Sequence, residues 1–230
     1  MTPEEAKKKA YINFLKKQPK GFAYYDPTAK KTSATTPLPA APVTTSKREA
    51  LEALNCQYRD CQKCPLATQG RTQVVFGHGN PETLLMFVGE GPGRDEDLQG
   101  QPFVGRAGQL LNKIIEAMGL AREQVYISNV VKCRPPANRV PLPQESDTCK
   151  NLLLYKEIDI IKPKIICTLG ATATQALLGD EAKITKSRGI FFEWRNCLVL
   201  PTYHPAYLLR NPAEKRTVWE DMKKIMEKLQ

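Results

Sequence analysis

No stretch of the chain approaches the ~18 uncharged apolar residues that a membrane-spanning helix requires. A secretory signal is missing too: Met1-Thr2-Pro3-Glu4-Glu5 puts acids where a basic segment belongs, and no apolar core follows. These absences predict a cytoplasmic protein with no membrane partner. Histidine is scarce, so imidazole chemistry falls to His78 or His204. The glycine-rich stretch after residue 88 matches neither GxxxxGK[ST] nor a full GxGxxG, which argues against a nucleotide cradle. There is no internal repeat, and nothing demands an oligomer, so a monomer is expected.

What is present starts with charge. The net charge is +10, but residues 1–48 hold ten Lys/Arg against three Asp/Glu, a balance of +7, leaving +3 for the other 182 residues. Basicity of this kind favours a polyanionic partner, yet most of it sits in an extension. Residues 3–18 allow a short helix with a ragged apolar face. Residues 27–45 are a Pro/Thr/Ala tract that buries too little to order itself. Residues 1–45 therefore read as a basic, partly disordered appendage, solvated or in weak contact with DNA or protein. Ser46 is a candidate N-cap for a helix over Lys47–Leu54, where a compact domain over residues 46–230 begins.

Within that domain, strands are expected at Leu84–Val88, Val125–Val131 and Lys164–Gly170, and a hairpin turns at Arg195-Asn196. Helices are expected at about Ala107–Met118, Glu145–Ile161, Ala171–Leu178 and Ala213–Leu229. Strands alternating with helices predict an α/β fold with a parallel sheet covered on both faces. The first strand runs into Gly89-Glu90-Gly91-Pro92-Gly93, then Glu96-Asp97 and Gly100-Gln101-Pro102-Phe103-Val104-Gly105. Glycines let such a loop press its N–H groups on a ligand beyond the carboxyl end of a strand, where open α/β sheets bind.

Seven cysteines in an intracellular chain favour metal or redox chemistry over disulfides. Cys61 and Cys64 form a CxxC; Cys133 follows a strand and Cys149 falls in the first turn of the expected 145–161 helix. Four thiolates suit tetrahedral zinc or an iron–sulfur cluster. The split second pair fits a cluster stapling the fold better than a zinc ribbon, unless Cys133 and Cys149 are unrelated thiols. Cys167 and Cys197 lie in apolar strands and read as core. His78 sits in a turn sequence. His204 ends a strand at the same sheet edge as the glycine loop and Asn129, which favours a site role over a strand-end histidine bonded to backbone.

Taken together, the glycine loop, Asn129-Val130-Val131-Lys132-Cys133-Arg134-Pro135-Pro136 and His204-Pro205-Ala206-Tyr207-Leu208-Leu209-Arg210 resemble the motifs of the family 4 uracil-DNA glycosylases over about residues 46–230. The resemblance implies a three-layer αβα fold around a four-stranded parallel sheet. It also implies a [4Fe–4S] cluster on Cys61, Cys64, Cys133 and Cys149, and excision of uracil from single- or double-stranded DNA. By it, Phe103 stacks on the flipped base, the Asn129 amide reads O4 and N3–H, and Glu90-Gly91 backbone holds another edge. Glu96 crowds C5 against thymine's methyl, and His204 donates to O2 as charge develops. Better-known uracil glycosylases position water with an aspartate where this chain has Gly91, so either Glu90 or Glu96 helps, or the anionic leaving group carries most of the catalysis. Leu208, Leu209 and Arg210 either wedge into the vacated space, with Arg210 on phosphate, or pack on the core.

Two rivals stand beside that reading. Some relatives trap uracil-DNA covalently through a histidine on a basic insertion after the middle motif. The stretch Lys132–Pro143 has no such insertion. A non-catalytic iron–sulfur DNA-binding or redox protein is the other.

Overall fold

The computed structural model describes Ala23–Tyr24 and residues 46–230. The expected helix over 3–18 and the tract over 27–45 lie outside the described residues. Among the described residues the strands are β1 (Ala23–Tyr24), β2 (His78–Gly79), β3 (Leu85–Gly89), β4 (Tyr126–Asn129), β5 (Ile165–Leu169), β6 (Phe192–Trp194) and β7 (Cys197–Thr202). They form one sheet in the order β1-β6-β7-β5-β3-β4-β2. The central β7-β5-β3-β4 run parallel, as expected for a four-stranded core. The outer three are short antiparallel additions. Of these, β6 is the anticipated hairpin arm, whereas the two-residue β1 and β2 are too short to show a period.

Alternation along the parallel strands builds the layers. Leu85 and Phe87 face one side, packed with Leu111 and Ile115 of α3 (Arg106–Ala117) and Val218, Met222 and Ile225 of α9 (Lys215–Leu229). Met86 and Val88 face the other, against Leu51 and Leu54 of α1 (Lys47–Tyr58), Ile158 of α5 (Tyr155–Ile161) and Leu177 of α6 (Ala171–Leu178). With both faces buried, the strands carry apolar residues at successive positions. The result is the three-layer α/β arrangement. No described helix is long and apolar enough to cross a membrane.

The start of α1 follows its sequence signal. Ser46 Oγ accepts from Glu49 N–H at 3.3 Å, and Ser46 N–H donates to the Glu49 carboxylate at 2.8 Å, a reciprocal capping box. The helix expected from Glu145 begins earlier, at Pro143, because proline suits a first helical turn. It runs as α4 (Pro143–Cys149), a π-helical stretch over Lys150–Leu154, and then α5. Cys149 is thus the last residue of α4 and not in its first turn. Inside, Lys132 and Glu157 are both fully buried and paired at 2.6 Å. The ammonium also donates to Asn129 O (2.9 Å) and to Ser128 Oγ, so its three protons are all used. This group locks the end of β4 onto α5.

Candidate functional site

Strands β3, β4, β5 and β7 end at one edge, and most residues singled out from the sequence gather there. Gly89 pairs with Asn129 across β3 and β4. A Cβ on Gly89 would lie 2.5 Å from both Asn129 Oδ1 and Phe103 Cζ, so only a bare glycine lets ring and amide close over the strand end. The Phe103 ring stands 5.6 Å from the His204 imidazole at 34°. Behind His204 lies Gly170 at the end of β5, where a Cβ would come within 3.0 Å of the histidine Cβ.

Asn129 is 2% exposed, and its Oδ1 has no hydrogen-bond partner. An unpaired buried acceptor costs about 1–3 kcal/mol, and folded proteins leave few of them. His204 caps α8 (Pro205–Arg210), its Nδ1 accepting from Ala206 N–H at 3.1 Å. With Nδ1 so engaged, the ring proton belongs on Nε2. Burial, and secondarily the charge of Arg210, pulls the His204 pKa down to about 4. The imidazole is therefore neutral at pH 7, with one N–H to give. Half-buried Glu90 takes a hydrogen bond from Thr172 Oγ1 on α6, and its carbonyl accepts Val131 N–H at 3.1 Å. Gly91 lies against the Val131 side chain.

Two of these residues are committed to other contacts. The Glu96 carboxylate does not stand free at the site: Oε1 accepts from Val104 N–H (3.1 Å) and Gly105 N–H (3.0 Å), and Oε2 from Gly93 N–H (3.1 Å). It staples the two limbs of the glycine loop together. Leu208 is fully buried in the core beside α3 and cannot act as a wedge, while Leu209 and Arg210 are exposed. The packed alternative holds for Leu208 because its position on α8 faces inward. His78 is exposed, as expected, but it lies in the short edge strand β2 and not in a turn, because its backbone pairs with Ile127 of β4.

The sequence pattern passed over Arg122, whose guanidinium holds the Phe103 backbone, and Thr172, which holds Glu90. Neither belongs to a motif. The one signal for Thr172 was its place just after a Gly-Ala pair at a strand end.

The four thiols share one region behind this edge. Cys133 and Cys149 are buried in the core cluster, with Cys61 and Cys64 packed against it. Burial pushes the Cys64, Cys133 and Cys149 thiols up, Cys149 to about 12, and Cys64 adds its charge to both of the others. Arg71 donates to Cys133 Sγ at 2.8 Å and Lys132 N–H to Cys149 Sγ at 3.3 Å. Among the described residues, no group of three His, Cys, Asp or Glu is arranged to hold a single metal ion. Arg71 also bonds the Cys61 carbonyl, and the next residues, Thr72 and Gln73, donate N–H groups to buried Asp97 of α2 (Arg94–Gln99), the short helix that interrupts the glycine loop. Thiol region and site loop are thereby joined. Of the other cysteines, Cys167 is fully buried core and Cys197 is half-buried, while Cys56 is exposed.

Residues 76–223 match the family model of the uracil DNA glycosylase superfamily. The chain is 48% identical over 183 residues to a type-4 uracil-DNA glycosylase of Thermotoga maritima, covering 78% of this chain and 94% of that protein. It is 47% identical over 188 residues to the type-4 uracil-DNA glycosylase of Sulfurisphaera tokodaii, covering 78% and 84%. The same type of enzyme from Archaeoglobus fulgidus is 40% identical over 187 residues, covering 78% and 93%. A domain that brings Gly89, Asn129 and His204 together at the carboxyl ends of its parallel strands, and matches these relatives over most of their length, belongs to the uracil-DNA glycosylase superfamily and within it to the type-4 uracil-DNA glycosylases.

Proposed function

We propose that the protein removes uracil from DNA by hydrolysing the N-glycosidic bond, leaving an abasic site. The observation that carries this reading is the buried, unpartnered Asn129 Oδ1 beside Phe103 and a neutral His204. Uracil offers N3–H to that oxygen and O4 to the amide N–H. Cytosine presents the reverse pattern and would leave buried polar groups unpaired, a strong basis for rejection. The base must leave the duplex to reach such a site, and stacking on Phe103 contributes about 1–3 kcal/mol.

As the C1′–N1 bond breaks, its electron pair passes into the uracil ring and charge grows on O2. His204 Nε2–H donates there, an electrostatic stabilisation that requires no full proton transfer. Water adds to C1′, and the proton it sheds neutralises the departing base. Of the two carboxylates considered, Glu96 is committed to loop N–H groups, so Glu90 is the one we assign to orienting water. The Glu90-Gly91 backbone is assigned to another uracil edge. Exposed Leu209 and Arg210 are assigned to DNA, the leucine as wedge and the arginine on phosphate.

The donor set Cys61, Cys64, Cys133 and Cys149 fits a [4Fe–4S] cluster. Cys64 stands in electrostatic reach of each of the other three thiols, and N–H donors from Arg71 and Lys132 are directed at two of the sulfurs. Such a cluster would neutralise thiolates that burial disfavours and cross-link the CxxC loop, the segment after β4, and α4.

The test is base release from oligonucleotides carrying one uracil, cytosine or thymine, read by mass spectrometry. Free uracil alone supports the reading. Release of cytosine at a comparable rate, or of no base, contradicts it. A band that survives denaturation at the mass of protein plus DNA would move the case to the covalent-trap rival.

A further inference from the structure

Phe103 presents its ring from a backbone with φ +55, a left-handed conformation that few residues with a Cβ adopt. Something must hold it. We propose that Arg122 is a positioning residue for base stacking, working against Glu96 across the single peptide group that joins Phe103 to Val104. The proposal rests on the uracil-excision reading above.

The carbonyl of that peptide accepts from Arg122 Nη1 at 3.2 Å, and its N–H donates to Glu96 Oε1 at 3.1 Å. A cation thus holds one side of the peptide plane and an anion the other, which fixes its rotation and with it the direction of the Phe103 side chain. Arg122 also donates through Nη2 to Pro102 O, the preceding carbonyl, and through Nη1 to Asn112 Oδ1 on α3 at 2.8 Å. Only a planar, five-donor fork spans two successive carbonyls and an amide in this way, so lysine is not an equivalent. Glu96 extends its half of the clamp to Gly105 N–H. The clamp draws the loop hard onto α3: a Cβ on Gly108 would lie 1.9 Å from Phe103 O. Arg122 comes from the turn before β4, the strand that carries Asn129. One short segment therefore sets both the ring over the base and the amide at its edge.

The experiment compares Arg122→Met and Arg122→Lys, alone and in a Phe103→Ala background, in the full-length protein. Single-turnover excision, inhibition by free uracil, affinity for abasic-site DNA and melting temperature are measured. Arg122→Met is expected to weaken uracil inhibition about tenfold, the scale of one lost stacking contact, and to slow excision similarly. Affinity for abasic DNA, which has no base to stack, should stay within about twofold by the same argument. In the Phe103→Ala background the same change should have almost no further effect on uracil inhibition, since the ring it serves is gone. Arg122→Lys, which keeps the charge and folds if Arg122→Met does not, should lie between wild type and Arg122→Met. Equal loss of uracil and abasic-DNA binding overturns the proposal, as does a full effect persisting without the Phe103 ring. Wild-type excision with Arg122→Met unchanged sinks the clamp alone. A wild type that releases no uracil sinks the glycosylase reading and the clamp with it.

Discussion

Replacing Asn129 with leucine separates its service to the base from its service to the fold. The two side chains are close in size, but leucine neither accepts nor donates. On the proposed mode of uracil binding, the change removes two hydrogen bonds and leaves uracil N3–H and O4 unpaired in a desolvated site. At about 1–3 kcal/mol per stranded group, the combined loss is about 3–5 kcal/mol, or roughly 10²- to 10⁴-fold in kcat/KM for uracil excision. In the free protein the balance has the opposite sign. Oδ1 is already buried without a partner, so Asn129→Leu removes an unsatisfied acceptor and should leave the melting temperature level or raise it by a few degrees, at about 2–4 °C per kcal/mol for a domain of this size. The assay is single-turnover excision together with a thermal melt of the same preparation. Activity kept within threefold, or a drop of many degrees in melting temperature with activity preserved, would refute the reasoning and make Asn129 a packing residue.

Three more outcomes follow from the same geometry. The fold favours neutral His204, so the unfolded chain binds a proton near its ordinary 6.5 that the folded chain refuses until about pH 4. Stability contributed by His204 is therefore full above pH 6.5 and lost as pH falls toward 4. Melts across that window should flatten in His204→Gln, and the acid limb of kcat should lie near pH 4, where protonation of Nδ1 breaks its bond to Ala206 N–H. Lys132→Met strands a fully buried Glu157 and should cost about 3–5 kcal/mol in urea unfolding. Adding Glu157→Leu, which removes the stranded charge, should recover much of that. Gly108→Ala forces a methyl group onto the Phe103 carbonyl and should lower excision at least about tenfold through lost stacking, with uracil inhibition weakened in step.

The parts of this molecule legible in the sequence were those written in local pattern. Apolar runs marked β3, β4 and β5 because both sheet faces are covered. Pairing at strand ends then put Gly89, Asn129 and His204 on one edge. What stayed hidden depends on partners distant in the chain. Leu208 and Leu209 are both leucines after the same histidine, and only the rotation of α8 makes one core and the other surface. The resemblance gives Glu96 a role at the base, but the loop folds so that three N–H groups converge on it. Arg122 lies nineteen residues from Phe103 in a stretch with no motif. The two-residue strands β1 and β2 owe their conformation to the neighbours they pair with.

The most direct measurement incubates the pure protein with a labelled oligonucleotide holding one uracil, then treats it with alkali to cut at abasic sites. The account predicts scission at the uracil position alone, none in a thymine control, and loss of the signal in His204→Ala, a variant that stays folded at pH 7 with its melting temperature lowered by only a few degrees for the lost α8 cap. No scission by a folded wild-type protein, or undiminished scission by His204→Ala, would contradict it.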